Sequence, residues 1–162
     1  MIYIGIDPGS SGGGIAAIND DGDAVTAAMP QTPRDIFDTL NELVALLVGD
    51  RPTPRLYAAL EIVGPRPGEG GTSSFKFGQS YGHLEMALVG HRIPYTLVRP
   101  VAWQKQVGII KKPKEPDTPW KNRLKAEAQR VFPANKVVLA TADALLIARY
   151  AQDTCPFRPH VQ

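Results

Sequence analysis

Three acidic residues of this 162-residue chain each interrupt a mainly apolar segment. Asp7 follows the run IYIGI, Glu61 lies within LYAALEIV, and Asp143 lies within TADALLI. A carboxylate in such surroundings is costly unless a partner stabilises its charge. Taken singly, Asp7 could hydrogen-bond the turn that follows it, and Glu61 could pair with Arg99. Asp143 could simply interact with the dipole of a helix.

Taken together, the three carboxylates indicate a site for divalent cations. Converging carboxylates repel one another, and a cation between them removes that repulsion. Ligands that are all oxygen favour Mg²⁺, with Mn²⁺ as a substitute. Two such ions about 3.5–4 Å apart can activate a water and stabilise the leaving oxygen in phosphodiester displacement. The single Cys155 excludes a cysteine-based zinc site, and the three histidines are scattered.

The order of the elements predicts how the acids meet. Apolar runs predict strands, and helical periodicity with Pro and Gly punctuation predicts helices. The strands are expected at 2–6, 13–18, 24–29, 56–63 and 94–99, and the helices at 33–48, 75–90, 100–107, 120–132 and 141–152. This order predicts a ribonuclease H-like α/β fold, in which a mixed five-stranded sheet is flanked by helices. Its three antiparallel strands are followed by parallel additions.

In that topology the first and fourth strands are neighbours, so Asp7 and Glu61 should lie close together. Asp143 is expected in the first turn of the last helix, which packs across those strands. The helix at 75–90 is expected to be capped by Ser73 or Ser74.

Length and composition predict one domain over residues 1–162. Hydrophobic residues make up 43% and charged residues 21%, as in ordinary globular proteins. No apolar run approaches the roughly 18 residues of a membrane span. An export signal is not recognisable, and the one cysteine favours a reducing setting, so we expect a cytoplasmic location in a bacterial or phage-infected cell. Cys155 is expected to be exposed in a proline-rich tail.

Basic residues are concentrated in one region of the chain, residues 99–130. This basic region holds nine Lys and Arg residues against three acidic ones, whereas the rest of the chain is net acidic. Such a distribution indicates a phosphate-rich partner. The alternative is an ordinary solvated helix face with lysines for solubility. Within the basic region, residues 109–119 are expected to form a basic, proline-broken linker.

An ordered set of motifs resembles the RuvC-type Holliday junction resolvases, especially their phage-encoded relatives. The motifs are IGIDPGSSGGGIAAI, ALEIV, SSFKFGQSYGHLEMAL, RPVAWQKQVG, WKNRLKAEAQRVFP and TADALLIARYA, and they cover nearly the whole chain. The resemblance implies that Asp7, Glu61 and Asp143 bind two Mg²⁺ ions and cut symmetric strands of a four-way DNA junction. It also implies a homodimer formed through the helix at 75–90. Neither a membrane nor a small-molecule cofactor is expected.

The predicted nucleic-acid contacts combine the basic region with the positions that the resemblance indicates. They are Ser10, Arg66, Lys76, Gln79, Lys105, Lys111, Lys112, Lys114, Lys121, Arg123 and Lys125.

One position departs from the family pattern. The family has a further acid or a histidine about three residues before its last aspartate, where this chain has Ala140. Three acids could suffice with water, the activity could be natively weak, or the alanine could be an inactivating substitution.

The alternatives to a resolvase are a nuclease acting on other branched or hybrid nucleic acids and a junction-binding protein without cleavage. An ATPase of the actin and Hsp70 type is disfavoured because the chain lacks a second phosphate loop.

Overall fold

The structure is a computed structural model that describes residues 1–9, 12–49, 52, 54–64, 68 and 70–157. In this part of the chain the strands are β1 (Ile2–Asp7), β2 (Gly14–Asn19), β3 (Ala24–Ala28), β4 (Leu56–Glu61) and β5 (Tyr95–Val98). The helices are α1 (Pro33–Val48), α2 (Gly71–Gly90), α3 (Pro100–Gln106), α4 (Asp117–Val131) and α5 (Leu139–Thr154). No helix of the described ranges has the length and apolarity needed to cross a membrane.

The strands form one mixed sheet in the order β3-β2-β1-β4-β5. β1 pairs antiparallel with β2 and β2 antiparallel with β3, whereas β1–β4 and β4–β5 are parallel pairs. The predicted mixed five-stranded sheet is thus confirmed, with β1 and β4 adjacent in its middle.

Helices cover both faces of this sheet. Because successive side chains of a strand point to opposite faces, Ile2, Ile4 and Ile6 pack with α1 and α2, and Tyr3 and Gly5 face the other way. On that second face lie α5, the buried residues of α4 and Trp103 of α3. The same alternation puts Asp7 and Glu61 on the α5 face, in step with Tyr3 and Tyr57.

A glycine in β1 lets α5 lie directly on the sheet. A Cβ atom added at Gly5 would stand 2.1 Å from the Ala144 carbonyl oxygen and 2.1 Å from the Ala148 backbone nitrogen. At Gly14 in β2, an added Cβ would stand 2.6 Å from the carbonyl oxygen of Ala140. These close approaches fix both the height and the position of α5 across β1 and β2.

The helix starts show where the sequence was a good guide and where it was not. Thr32 caps α1 as its sequence indicates, accepting a 3.1 Å hydrogen bond from the Asp35 backbone N–H. The predicted capping of the next helix by Ser73 or Ser74 is wrong. α2 begins at Gly71, and the Ser74 N–H donates to the Gly70 carbonyl at 3.1 Å. The helix is thus one turn longer at its start than predicted, and the backbone hydrogen bonds of residues 71–74 offset the low helix propensity of Gly and Ser.

Two expectations near the C-terminal end are also corrected. α5 begins at Leu139, so Asp143 lies in its second turn, where an interaction with the helix dipole has largely faded. Cys155 is 7% exposed rather than surface-exposed, because it packs into the cluster that holds Tyr57.

We expect Gly5→Ala to destabilise the protein by about 3 kcal/mol or more, since the new methyl group meets backbone atoms that cannot rotate away. Urea unfolding measures this loss. The matched control is Gly78→Ala in α2, where an added Cβ meets nothing within 4 Å. That variant should gain about 0.5–1 kcal/mol from helix propensity. Equal stabilities of the two variants would contradict the close packing of α5 on β1.

Candidate functional site

Asp7 and Glu61 end the two central strands. Ile6 and Leu60 are paired in the parallel β1–β4 ladder, and each acid is the next residue of its strand. Parallel neighbours end at the same edge of a sheet, so both carboxylates lie at this edge. Asp143 belongs to the same site because it precedes Ala144, the residue whose backbone rests on Gly5. The structure therefore brings together the three acids that the sequence predicted.

Asp7 is half-buried, and its Oδ1 accepts a 3.2 Å hydrogen bond from the backbone N–H of Gly9. Burial raises the pKa of Asp7, and the Gly9 N–H and the positive charge of Lys121 oppose that rise. The turn-capping bond considered for Asp7 is thus present. It occupies one carboxylate oxygen and leaves Asp7 facing the site.

Glu61 is only 8% exposed, and its partner is Trp103 rather than Arg99. The Trp103 indole N–H donates to Glu61 Oε1 at 2.7 Å, and Trp103 itself is 1% exposed. Burial raises the pKa of Glu61 to about 7, the indole bond opposes the rise, and the charges of Asp7 and Asp143 add to it. The sequence pattern does not indicate this hydrogen bond, because Trp103 and Glu61 are 42 residues apart in the chain.

Asp143 is the third member of this electrostatic group. Burial raises its pKa to about 7, the charge of Asp7 adds to the rise, and Lys121 opposes it. Lys121 is an exposed residue of α4 whose charge acts on both aspartates. Among the predicted nucleic-acid contacts that the structure describes, Lys121 is therefore the one whose charge acts on the acidic site.

The donor atoms of this site are of the kind that hard divalent cations take. Among the residues that the structure describes, no three Asp, Glu, His or Cys groups are close enough to enclose one metal ion. Mg²⁺ does not need such a cage, because it usually binds one or two carboxylates and keeps several waters or substrate phosphates. The three acids offer oxygen donors only, and two of them are held near pKa 7 largely by burial and mutual repulsion. A cation would relieve that repulsion.

Ala140 borders the same site. It is one helical turn before Asp143, so the two positions share a face of α5. Its carbonyl oxygen packs against Gly14, the residue that pairs with Asp7 across β1 and β2. The fourth position of the family pattern thus lies beside the acids, and it carries a methyl group.

The predicted nucleic-acid contacts fall into two groups. Lys76 and Gln79 are exposed in the N-terminal half of α2, the helix whose buried residues Leu84, Ala87 and Leu88 pack with α1. The second group belongs to α3, α4 and the segment between them, and the buried residues of both helices pack with α5: Lys105 in the last turn of α3, Lys111, Lys112 and Lys114 between α3 and α4, and Lys121, Arg123 and Lys125 in α4. Ser10 and Arg66 lie outside the described residues.

We expect Asp143→Asn to stabilise the metal-free protein at pH 8 by about 1–3 kcal/mol. The folded state raises the Asp143 pKa from 3.8 to about 7, so ionisation of this residue opposes folding. The parent therefore loses stability as pH rises between about 4 and 7, and the variant loses less. Urea unfolding in EDTA at pH 4 and pH 8 measures the difference. Glu42→Gln, at an exposed position of α1, is the control, and its stability should change with pH as that of the parent does. If the stability of Asp143→Asn also changes with pH as that of the parent does, the prediction is wrong.

Comparison with known proteins gives similarity in structure only. No model of a known protein family and no curated protein matches the sequence. A structure of T. thermophilus RuvC in complex with a Holliday junction substrate superposes with a TM-score of 0.60, at 17% identity over 91% of this chain and 90% of that chain. Another Thermus thermophilus RuvC structure gives a TM-score of 0.57 at 17% identity, over 91% of each chain. The chain therefore has the ribonuclease H-like α/β fold of the RuvC Holliday junction resolvases, as its sequence predicted.

Proposed function

We propose that this protein is a divalent-metal-dependent endodeoxyribonuclease that resolves four-way DNA junctions. The observation that carries the proposal is the meeting of the ends of β1 and β4 with α5, the elements that carry Asp7, Glu61 and Asp143. These acids come from β1, β4 and α5, three elements far apart in sequence. The exposed Lys121, whose charge acts on Asp7 and Asp143, and the fold likeness to RuvC support the same function.

The acids would hold Mg²⁺, or Mn²⁺ in its place, with two ions at each site. Bound ions of this kind help to activate a water and stabilise the leaving oxygen of a phosphodiester. The protein prepares the ligands by fixing one oxygen of each strand acid. Gly9 holds Oδ1 of Asp7 and Trp103 holds Oε1 of Glu61, and the second oxygen of each acid would be available to a cation.

Lys121 has a separate role in this proposal. Its ammonium group lowers the electrostatic cost of keeping Asp7 and Asp143 ionised. A DNA phosphate approaching three carboxylates would otherwise be repelled, and an exposed lysine beside them offsets part of that repulsion. The other lysines of the basic region would hold the flanking backbone.

A four-way junction is the substrate best supported, because the similar RuvC structure is a complex with a Holliday junction. Two symmetric cuts need two active sites related by a two-fold axis, which we propose a homodimer provides. The exposed side of α2 carries large apolar side chains, with Phe75 67% and Met86 64% exposed. This face of α2 is our candidate dimer surface, and sedimentation equilibrium measures the assembly.

We expect Asp7→Asn to lower Mg²⁺-dependent junction cleavage by at least about 100-fold, since losing a direct ligand should exceed typical outer-shell effects. Junction affinity in EDTA should stay close to that of the parent. A gel assay with a mobile four-way junction measures both quantities, and Glu42→Gln is the control.

The substrate assignment is tested in the same assay with linear duplex, a replication fork and an RNA–DNA hybrid. Equal cleavage rates on all four substrates would contradict a resolvase and favour a general nuclease. Tight junction binding by the parent without any nicking would instead indicate a binding protein. Cleavage by Asp7→Asn at the parental rate would refute the proposed role of the acids.

We expect Ala140→Asp to raise the cleavage rate at limiting Mg²⁺ by roughly tenfold, because a fourth carboxylate strengthens metal binding. Ala140→Asn is the matched control, with nearly the same size and no charge. The rate is measured as a function of Mg²⁺ concentration. If the aspartate and asparagine variants cut equally fast, position 140 does not lack a ligand.

A further inference from the structure

Residues 111–115, here called the basic turn, form a closed structure rather than the linker that the sequence indicated. The backbone N–H of Glu115 donates to the Lys112 carbonyl oxygen at 3.0 Å. The Glu115 side chain returns to the same residue, accepting a hydrogen bond from the Lys112 N–H on Oε2 at 2.9 Å. Glu115 therefore closes the turn with its backbone and its carboxylate.

The carboxylate of Glu115 also ties the basic turn to α4. Arg123 NH1 lies 2.9 Å from Glu115 Oε1 and 2.8 Å from Oε2. The Arg123 guanidinium lies over the ring of Trp120, 5.5 Å from its centroid, and Trp120 is buried in the core. The turn is thus connected to the core through Glu115, Arg123 and Trp120. The Lys112 N–H, followed by the Arg123 guanidinium, lowers the pKa of Glu115, so this acid stays charged.

The tip of the basic turn has an unfavourable backbone conformation. Lys114 has a φ of +60°, in the left-handed region that glycine adopts easily and side-chain-bearing residues adopt at a cost. Pro113 precedes it, as in turns with proline at the second position. The lysine side chain at this strained position is exposed.

The basic turn presents its charges beside the acidic site. Lys111, Lys112 and Lys114 are exposed, and Lys111 pairs with Asp117, the first residue of α4. One helical turn further along α4 is Lys121, whose charge acts on Asp7 and Asp143. A nucleic-acid strand held at the acids would therefore pass close to the turn.

We propose that the basic turn is a preformed phosphate-binding element for a duplex arm of the DNA substrate, and that Glu115 is the positioning residue that braces it. The proposal deepens the proposed function and rests on its nucleic-acid substrate. This proposal predicts the opposite of what a count of charges would suggest. Removing the negative charge of Glu115 should weaken DNA binding, because the lysines lose their fixed arrangement.

The test is the affinity of Glu115→Gln for a labelled four-way junction in EDTA, measured over a range of salt concentrations. We expect roughly fivefold weaker binding and a salt dependence reduced by about one phosphate contact. The matched control is Glu127→Gln. It makes the same charge change in the same region, but Glu127 pairs with Arg130 on α4 and not with the turn. Control binding should be unchanged or tighter.

A structural measurement shows whether the brace has opened. Limited trypsin digestion after Lys111 and Lys114 should be faster in Glu115→Gln than in Glu127→Gln, while the two variants unfold at similar temperatures. Tighter binding by both variants, with parental digestion rates, would overturn the brace.

Lys114→Gly tests the tip of the turn separately. Glycine removes the backbone strain, so the unfolding temperature should stay the same or rise, while junction affinity and the salt dependence both fall. Parental affinity in this variant would overturn the proposed phosphate contact.

The proposed function and the proposed role of Glu115 fail differently. A parent protein that binds and cuts junctions, with Glu115→Gln behaving like Glu127→Gln, refutes only the role of Glu115. A parent that binds no DNA refutes both.

Discussion

The close contact between α5 and β1 at Gly5 is the constraint on which the acidic site depends. With no side chain at Gly5, the backbone of α5 rests on the strand, and Asp143 stands next to the residue that makes this contact. Asp7 follows Gly5 by two residues and so projects from the same face of the strand. A helix held further from the sheet would carry Asp143 away from Asp7. The geometry of the acidic site is therefore set by the packing of the backbone.

That geometry has an energetic cost, which the surroundings offset only in part. Burial and mutual repulsion hold Glu61 and Asp143 near pKa 7, so at neutral pH the folded chain accommodates charges that water would solvate better. The Trp103 indole and the Lys121 ammonium act against this cost. Ions that bind only the folded state also stabilise it, so binding of the proposed cations would be linked to folding stability.

The sequence predicted what depends on local pattern and on topology. Alternating and apolar runs identified the strands, and their order alone made β1 and β4 neighbours, which brought Asp7 and Glu61 together. The bond from Trp103 to Glu61 spans 42 residues and depends on how α3 packs, which no local pattern encodes. The hydrogen bond between Glu115 and Arg123 was not predicted for a related reason. Prolines and lysines indicate a linker, but the side chain of one acid, Glu115, closes this segment into a turn. Side-chain partners of this kind are chosen by three-dimensional packing.

The two faces of the sheet carry different features. The acids lie on its α5 face, whereas α2 packs on the opposite face with α1. If two copies associate through α2, the spacing of their acidic sites depends on how α2 packs, because α2 reaches the acidic edge of the sheet: the charge of Glu61 contributes to the raised pKa of Tyr81 in α2. Packed layers of this kind are stiff. In such a dimer, the distance between the two acidic sites would then be fixed by the packed protein between them.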